Sequence, residues 1–319
     1  MGTSGEARGD SRHSPVLDEA AFAMLYERLR DSASWGREDR RGALNNLTTT
    51  RVAQAAEEIR SGRTVSLAAA VENQVSLDNP DPCQHQMTGP SEPEVGSSLQ
   101  FATDRLAMNI HGNADSHLDA LSHVLYQGTL YNGVPADKVG VSGASGLSLD
   151  VARDGIVGRG VLLDIPRLEG RRWLEPGESV TGEALAAAET AQHVTVGPGD
   201  LLFVRVGHRP RRDHYGPWDA AQARAGLHPV AMQFLAERRV ALLGSDSNND
   251  TAPSVVAGVG FPVHVLAIHA MGMQLLDYLD LEALLALCEE QDRWSFMCVI
   301  APLRLPAATG SPVNPIAIL

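Results

Sequence analysis

Apolar residues recur at helical spacing twice before residue 60. Leu17, Ala21, Met24, Leu25 and Leu29, with Asp18 and Glu19 at the start, predict a first helix over 17–31. A second helix runs from about Thr50 to Ile59 and is stopped by Ser61-Gly62. Asp39 to Leu47, polar with two embedded aliphatics, reads as a loop, and Thr64 to Ala69 as a first strand. Residues 72–98 hold Pro80, Pro82, Pro90 and Pro93 with little periodicity, a long irregular loop of the kind that serves as a lid or binding segment. Phe101, Leu106, Met108 and Ile110 then alternate, and Leu118, Leu121, Val124 and Leu125 follow at helical spacing. That change of period predicts a strand-to-helix junction near residue 119, between two core elements.

Strands and helices alternate through the second half. Val161 to Ile165 is a buried strand, Thr181 to Gln192 a helix capped by its threonine, and Leu201 to Val206 another buried strand. His208 to Pro217 is polar and aromatic, His228 to Arg239 a helix, and Val240 to Gly244 a strand. Ser245 to Pro253 forms a polar loop at that strand's carboxyl end, where open α/β sheets place binding groups; Asp246 and Asn248 are candidates there, with an Asx-stabilised turn equally in view. A helix from Leu279 to Glu290 and a strand near Trp294 to Pro302 follow. Gly310 to Leu319 should run extended over a neighbour, as part of a subunit contact.

At 319 residues, 44% hydrophobic and 20% charged, the chain can bury a large core as one α/β domain over 15–319. Residues 1–14, rich in Gly, Ser and charge with no apolar stretch, read as a disordered leader rather than a signal peptide. The formal net charge of −13 disfavours a nucleic-acid partner. No apolar run reaches the length of a membrane span, and three widely spaced cysteines, Cys83, Cys288 and Cys298, suit a reduced, cytoplasmic setting better than a disulfide framework.

The chemistry is concentrated in residues 109–133. His111, His117 and His123 stand there with Asp115 and Asp119, and imidazole with carboxylate is the donor set of a divalent ion such as zinc or manganese. His117 and Asp119 share one side of an extended segment, and a helix beginning near Asp119 would bring His123 round to them. Cys83 and His85, on the 72–98 loop, read as a neutral thiol and a substrate-facing histidine rather than a nucleophile and base, since nothing nearby would lower the thiol pKa. His214 to Trp218 is a candidate substrate wall, with Trp218 as its main contact.

His117-Leu-Asp119-Ala-Leu-Ser-His123 resembles the H-x-D-x-x-x-H core of the cyclase-family signature H-x-G-T-H-x-D-x-x-x-H. That family includes bacterial kynurenine formamidase and isatin hydrolase. Trp35 to Asn45, Gly158 to Asp164, Gly197 to Gly207, Ala301 to Arg304 and Gly310 to Pro315 look like its longer, actinobacterial-type members, so the resemblance spans about residues 35–319.

It implies a swivelling β/β/α fold, with a mixed, barrel-like sheet and peripheral helices. It also implies a homodimer or homotetramer, and a small-molecule substrate touched by residues such as Ser116. His264, rather than His269, and Asp277, at the place of the family's glutamate, would join His117 and Asp119 around the metal, one ion being favoured over two. The first motif histidine is replaced here by Asn113, a candidate ligand whose amide oxygen suits a hard ion such as manganese better than zinc, and the following Gly-Thr by Asp115-Ser116, of which Asp115 could add a carboxylate. His111 is a further candidate ligand if no bulge intervenes.

The implied reaction is hydrolysis of a small cyclic or acyl-substituted amide or lactone, with a metal-activated water and His123 as acid/base. The rivals are a metal-free cyclase or dehydratase using Asp115 and His123 as an acid/base pair, and a binding protein without chemistry.

Overall fold

The fold is described from a computed structural model for residues 16–33, 35–89 and 95–319; the expected leader at 1–14 lies outside them. Among those residues the largest sheet has nine strands. Their order is Thr64–Ser66, Ile316–Ile318, Ser295–Ile300, Ile156–Asp164, Leu201–Arg205, Leu242–Ser245, Gln274–Asp277, His117–Asp119 and Gly310–Pro312. The four strands from Ile156 to Asp277 are mutually parallel, and the flanking ones antiparallel.

The parallel strands are apolar at nearly every position because both faces are covered. Leu163, Leu202, Val204, Leu243 and Leu275 belong to one buried cluster, whereas their sequence neighbours Leu162, Leu201, Phe203, Leu242 and Leu276 belong to another. Alternation of side chains along each strand divides the two cores.

The carboxyl terminus makes the sheet curl. Gly310–Pro312 pairs at the last edge with His117–Asp119, while Ile316–Ile318 pairs near the other edge with Thr64–Ser66 and Ser295–Ile300. Only residues 313–315 separate the two strands. Such a link reaches about 14 Å, yet seven strand spacings in a flat sheet would need about 34 Å. The sheet therefore closes into the half-barrel expected of the swivelling fold, with helices outside it. The terminus does run extended: its strands complete the chain's own sheet, and Ala317 and Leu319 are fully buried.

Several local expectations change. The first helix, Glu19–Ser32, buries Phe22, Leu25, Tyr26 and Leu29, a stripe at i, i+3, i+4 and i+7 that leaves Met24 exposed. Residues 42–46 form a 3-10 turn rather than a loop, held by Asp39, whose carboxylate accepts from Gly42 N, Asn45 Nδ2 and the Tyr131 hydroxyl. Gly42 has φ +56°, and a Cβ there would lie 2.0 Å from Gly272 O, so the turn admits only glycine.

Within 72–107 a hairpin pairs Gln84–Met87 with Asp104–Ala107, and all eight residues are exposed; Phe101 and Leu106 are therefore not the core lead-in that alternation suggests. No helix follows Asp119: residues 120–123 make a turn closed by His123 N on Ala120 O, and Leu125 is exposed. His208–Tyr215 is a helix whose amino end is capped by Asp246, which accepts from the backbone N–H groups of Val206, Gly207 and His208. No helix among the described residues is long and apolar enough to cross a membrane.

Candidate metal centre

The site is built on the short His117–Asp119 strand, wedged between Gln274–Asp277 and Gly310–Pro312. The antiparallel register sets Asp277 directly opposite His117. The turn after Asp119 returns His123 to the same place, so the convergence attributed to a helix comes from a tight turn instead. Pro262–His264 brings in His264, after which Val265–Ala270 widens into a π-helical turn. That turn directs His269 the other way, onto the Tyr26 hydroxyl and Thr129.

These groups surround a cavity of about 640 Å3 lined by His111, Asn113, His117, Asp119, His123, Asn248, His264 and Asp277, with Val124, Leu125, Tyr126, Val259, Phe261 and Val265 as its apolar wall. Two imidazoles are locked by acceptors behind them. His117 Nδ1 donates to Asp115 O at 2.8 Å, which leaves its Nε2 lone pair facing Asp119 Oδ1 at 3.7 Å. His264 Nδ1 lies 2.5 Å from Asp250 Oδ2, and its Nε2 is 3.4 Å from Asp119 Oδ2 and 3.5 Å from Asp277 Oδ2. Orientation of a ring by a carbonyl or carboxylate behind it is the usual support of a metal-ligating histidine. His123 makes no side-chain hydrogen bond to the described residues and stacks on His111, with ring centroids 3.8 Å apart.

Asp119 is the hub. Its ligand atoms and those of His111 and His117 lie within 4.8 Å of one another, as do those of Asp119, His123 and His264. His117 and His264 therefore approach opposite oxygens of one carboxylate, and a single ion shared by His117, Asp119 and His264 does not match this arrangement. Asp119 Oδ2 is buried with no hydrogen-bond partner, a costly state for a carboxylate oxygen. Two ligands at about 2.1 Å from a tetrahedral ion stand about 3.4 Å apart, close to the separations of His264 Nε2 from Asp119 and Asp277. The residues fit a divalent cation.

The electrostatics agree. Burial alone would raise the Asp119 pKa, but the His123 charge, the hydrogen bond from His111 and the nearby His264 and His117 rings hold it well below the carboxylate range. Burial opposes the His264 imidazolium, yet the Asp277 charge, the nearby Asp119 carboxylate and the hydrogen bond to Asp250 outweigh it and raise its pKa. The site attracts positive charge. His123 goes the other way, pushed down to about 4 chiefly by burial, so its ring is neutral near pH 7.

Other sequence candidates lie elsewhere. Asp115 does not line the cavity: its Oδ1 accepts from Glu72 N, and burial raises its pKa. Ser116 donates to Tyr278 O and accepts from Ala69 N, which makes it a strut between strands. Cys83 is buried with its thiol pKa raised by burial and by Asp115, while His85 is exposed on the hairpin against Asp104; neither reaches the cavity. Trp218 donates to Ala223 O and packs on His208 and Arg211, also outside the lining. Asn113 does line the cavity, but its Oδ1 accepts from the Tyr278 hydroxyl at 3.1 Å.

Three supporting residues were not singled out by sequence. Asp250 orients His264, Asn249 Nδ2 bonds Asp277 Oδ1 at 2.5 Å, and Phe261 forms part of the apolar wall. Asp250 and Asn249 sit in the 245–253 loop read as a binding segment, but a polar loop does not say which of its groups faces inward.

Comparison with known proteins is consistent with this geometry. Residues 47–249 match the family model named "Cyclase". A crystal structure described as that of a novel cyclase is 30% identical, with a TM-score of 0.79 over 92% of this chain and 99% of the other. Isatin hydrolase A from Labrenzia aggregata, bound to benzyl benzoate, is 21% identical with a TM-score of 0.56 over 83% of this chain and 98% of that one. Isatin hydrolase A from Ralstonia solanacearum is 20% identical with a TM-score of 0.55 over 85% and 96%. Among curated proteins no match was found. With the family model spanning more than half of its length and a family structure superposing on nearly all of it, this chain belongs to the cyclase family.

Proposed function

We propose that this chain is a metal-dependent hydrolase that cleaves a small cyclic or acyl-substituted amide or lactone. The observation that carries this reading is the buried Oδ2 of Asp119, unpartnered among the described residues, close to His264 and His123 in the lining of the cavity. The neighbouring isatin hydrolases share the fold and lend their reaction class as a guide, although fold does not fix chemistry.

Asp119, His264 and Asp277 would hold the ion, zinc or manganese by the mixed imidazole and carboxylate donor set. Bound there, such an ion supplies Lewis-acid polarisation of a carbonyl and acidification of water. Asn248 and Asn249 fix the Asp277 carboxylate through bonds of 2.6 and 2.5 Å. His123 is neutral near pH 7 and, among the described residues, has no side-chain hydrogen bond at either ring nitrogen, so it can take a proton from water and return it to the departing nitrogen or oxygen. Leu125, Val259 and Phe261 offer apolar surface for the apolar part of a substrate; a cavity of about 640 Å3 suits a compact molecule. The metal-free cyclase pairing Asp115 with His123 loses its footing, because the Asp115 carboxylate is committed to Glu72 N outside the cavity.

The test compares His123→Ala with His264→Ala. The first should retain bound metal and lose turnover of amide or lactone substrates by about 100-fold or more, while the second should lose the metal. Equal turnover in parent and His123→Ala contradicts the assignment.

A further inference from the structure

Tyr278 is a fully buried aromatic residue held in the left-handed backbone region, at φ +54°. A bulky residue adopts that conformation at a cost and keeps it only where its surroundings fix it. Its N–H donates to Ser247 O at 2.9 Å, and its carbonyl accepts from Ser116 Oγ at 2.7 Å and from Arg209 Nη2 at 3.0 Å. His208 and His117 pack on the ring, with centroids 5.5 and 6.4 Å away. So held, the hydroxyl lies 3.1 Å from Asn113 Oδ1. On the basis of the hydrolase reading above, we propose that Asn113 donates a hydrogen bond to the carbonyl oxygen of the substrate, and that Tyr278 positions it to do so.

Burial pushes the Tyr278 pKa up, so the phenol is neutral and donates to the amide oxygen. That bond decides which way round the amide sits. Oδ1 turns toward Tyr278, and Nδ2, with two N–H groups, has no hydrogen-bond partner among the described residues. Asn113 is half-buried and lines the cavity with His117, Asp119 and Asp277. Arg209 Nη2 also donates to Ala114 O, so one guanidinium ties the backbone beside Asn113 to that of Tyr278. A metal ligand at this position would have to offer Oδ1, the atom already engaged by Tyr278.

A donor suits the reaction. As water attacks, its oxygen bonds to the carbonyl carbon and its proton passes to His123, while the π pair moves onto the carbonyl oxygen. An N–H directed at that oxygen binds it more strongly as the charge develops. The pair then returns, the bond to the departing nitrogen or oxygen breaks, and that atom takes the proton from His123. Asn113 transfers no proton and needs none.

The test uses the full-length protein, loaded with Zn2+ or Mn2+ and desalted, on formanilide and dihydrocoumarin, an acyl-substituted amide and a cyclic lactone. Asn113→Ala, Tyr278→Phe and the double variant are assayed beside the parent, with metal per chain counted in each. Asn113→Ala should keep the parent's metal content and lose about 100-fold in kcat, while KM moves by less than about threefold. Tyr278→Phe should lose about 10-fold in kcat. The double variant should be no slower than Asn113→Ala, because Tyr278 acts only through Asn113. Loss of metal in Asn113→Ala makes the residue a ligand and overturns the proposal, and additive losses in the double variant overturn the role of Tyr278. Parent-like kcat in Asn113→Ala overturns the donor and leaves the hydrolase reading standing, whereas a metal-loaded parent that hydrolyses neither probe overturns both.

Discussion

His264 Nδ1 and Asp250 Oδ2 lie 2.5 Å apart, and the same carboxylate accepts from the backbone N–H groups of Val263 and His264. One side chain thus sets both the backbone that presents His264 and the tautomer of its ring. Asp250→Asn would leave His264 in place but loosen its orientation. Loss of such an outer carboxylate weakens metal binding by about 10–100-fold, which competition with a chelating dye would measure. Unchanged affinity would show that His264 is oriented by other contacts.

Asp115 supplies the opposite case. It lies two residues before His117 and was the natural acid/base partner for His123, yet it accepts from Glu72 N away from the cavity. Asp115→Asn retains an acceptor at that position, so kcat/KM should stay within about threefold of the parent, a change under about 1 kcal/mol. A fall of 100-fold or more in kcat would return Asp115 to the chemistry.

Asp200 gives a pH dependence away from the metal centre. It accepts from Gly197 N at 2.8 Å and pairs with Arg159 at 2.7 Å, yet burial pushes its pKa up to about 6, over the opposing effect of Arg159. A carboxyl that holds its proton more tightly when folded contributes stability that is complete below about pH 4 and lost as the pH rises through about 6. Relative to Asp200→Asn, the parent should lose up to about 3 kcal/mol between those limits. Denaturant unfolding of both proteins at pH 4 and pH 7 reads that difference; parallel behaviour would mean that Asp200 titrates normally.

The fold was legible where periodicity and burial coincide. Val161 to Ile165, Leu201 to Val206 and the helix opened by Thr181 lie where the pattern places them, because strands buried on both faces are continuously apolar and a threonine cap marks a helix start. The 101–125 region misled for a physical reason: Phe101 and Leu106 alternate on an exposed hairpin, and the helical spacing after Leu118 falls on a turn. Spacing alone could not show that Thr309 and Gly310, nearly 200 positions downstream, shape the pocket of His111. Nor could it tell that Asp115, Ser116 and Cys83 serve as struts or packing behind the site.

The central claim is that Asp119 grips a divalent cation. Elemental analysis of protein purified without chelator, beside Asp119→Asn and with unfolding monitored for both, addresses it directly. The parent should carry at least one stoichiometric zinc or manganese ion, and the variant, still folded, should carry none. A folded parent free of transition metal after loading and desalting, or a variant that binds as much as the parent, would contradict the account.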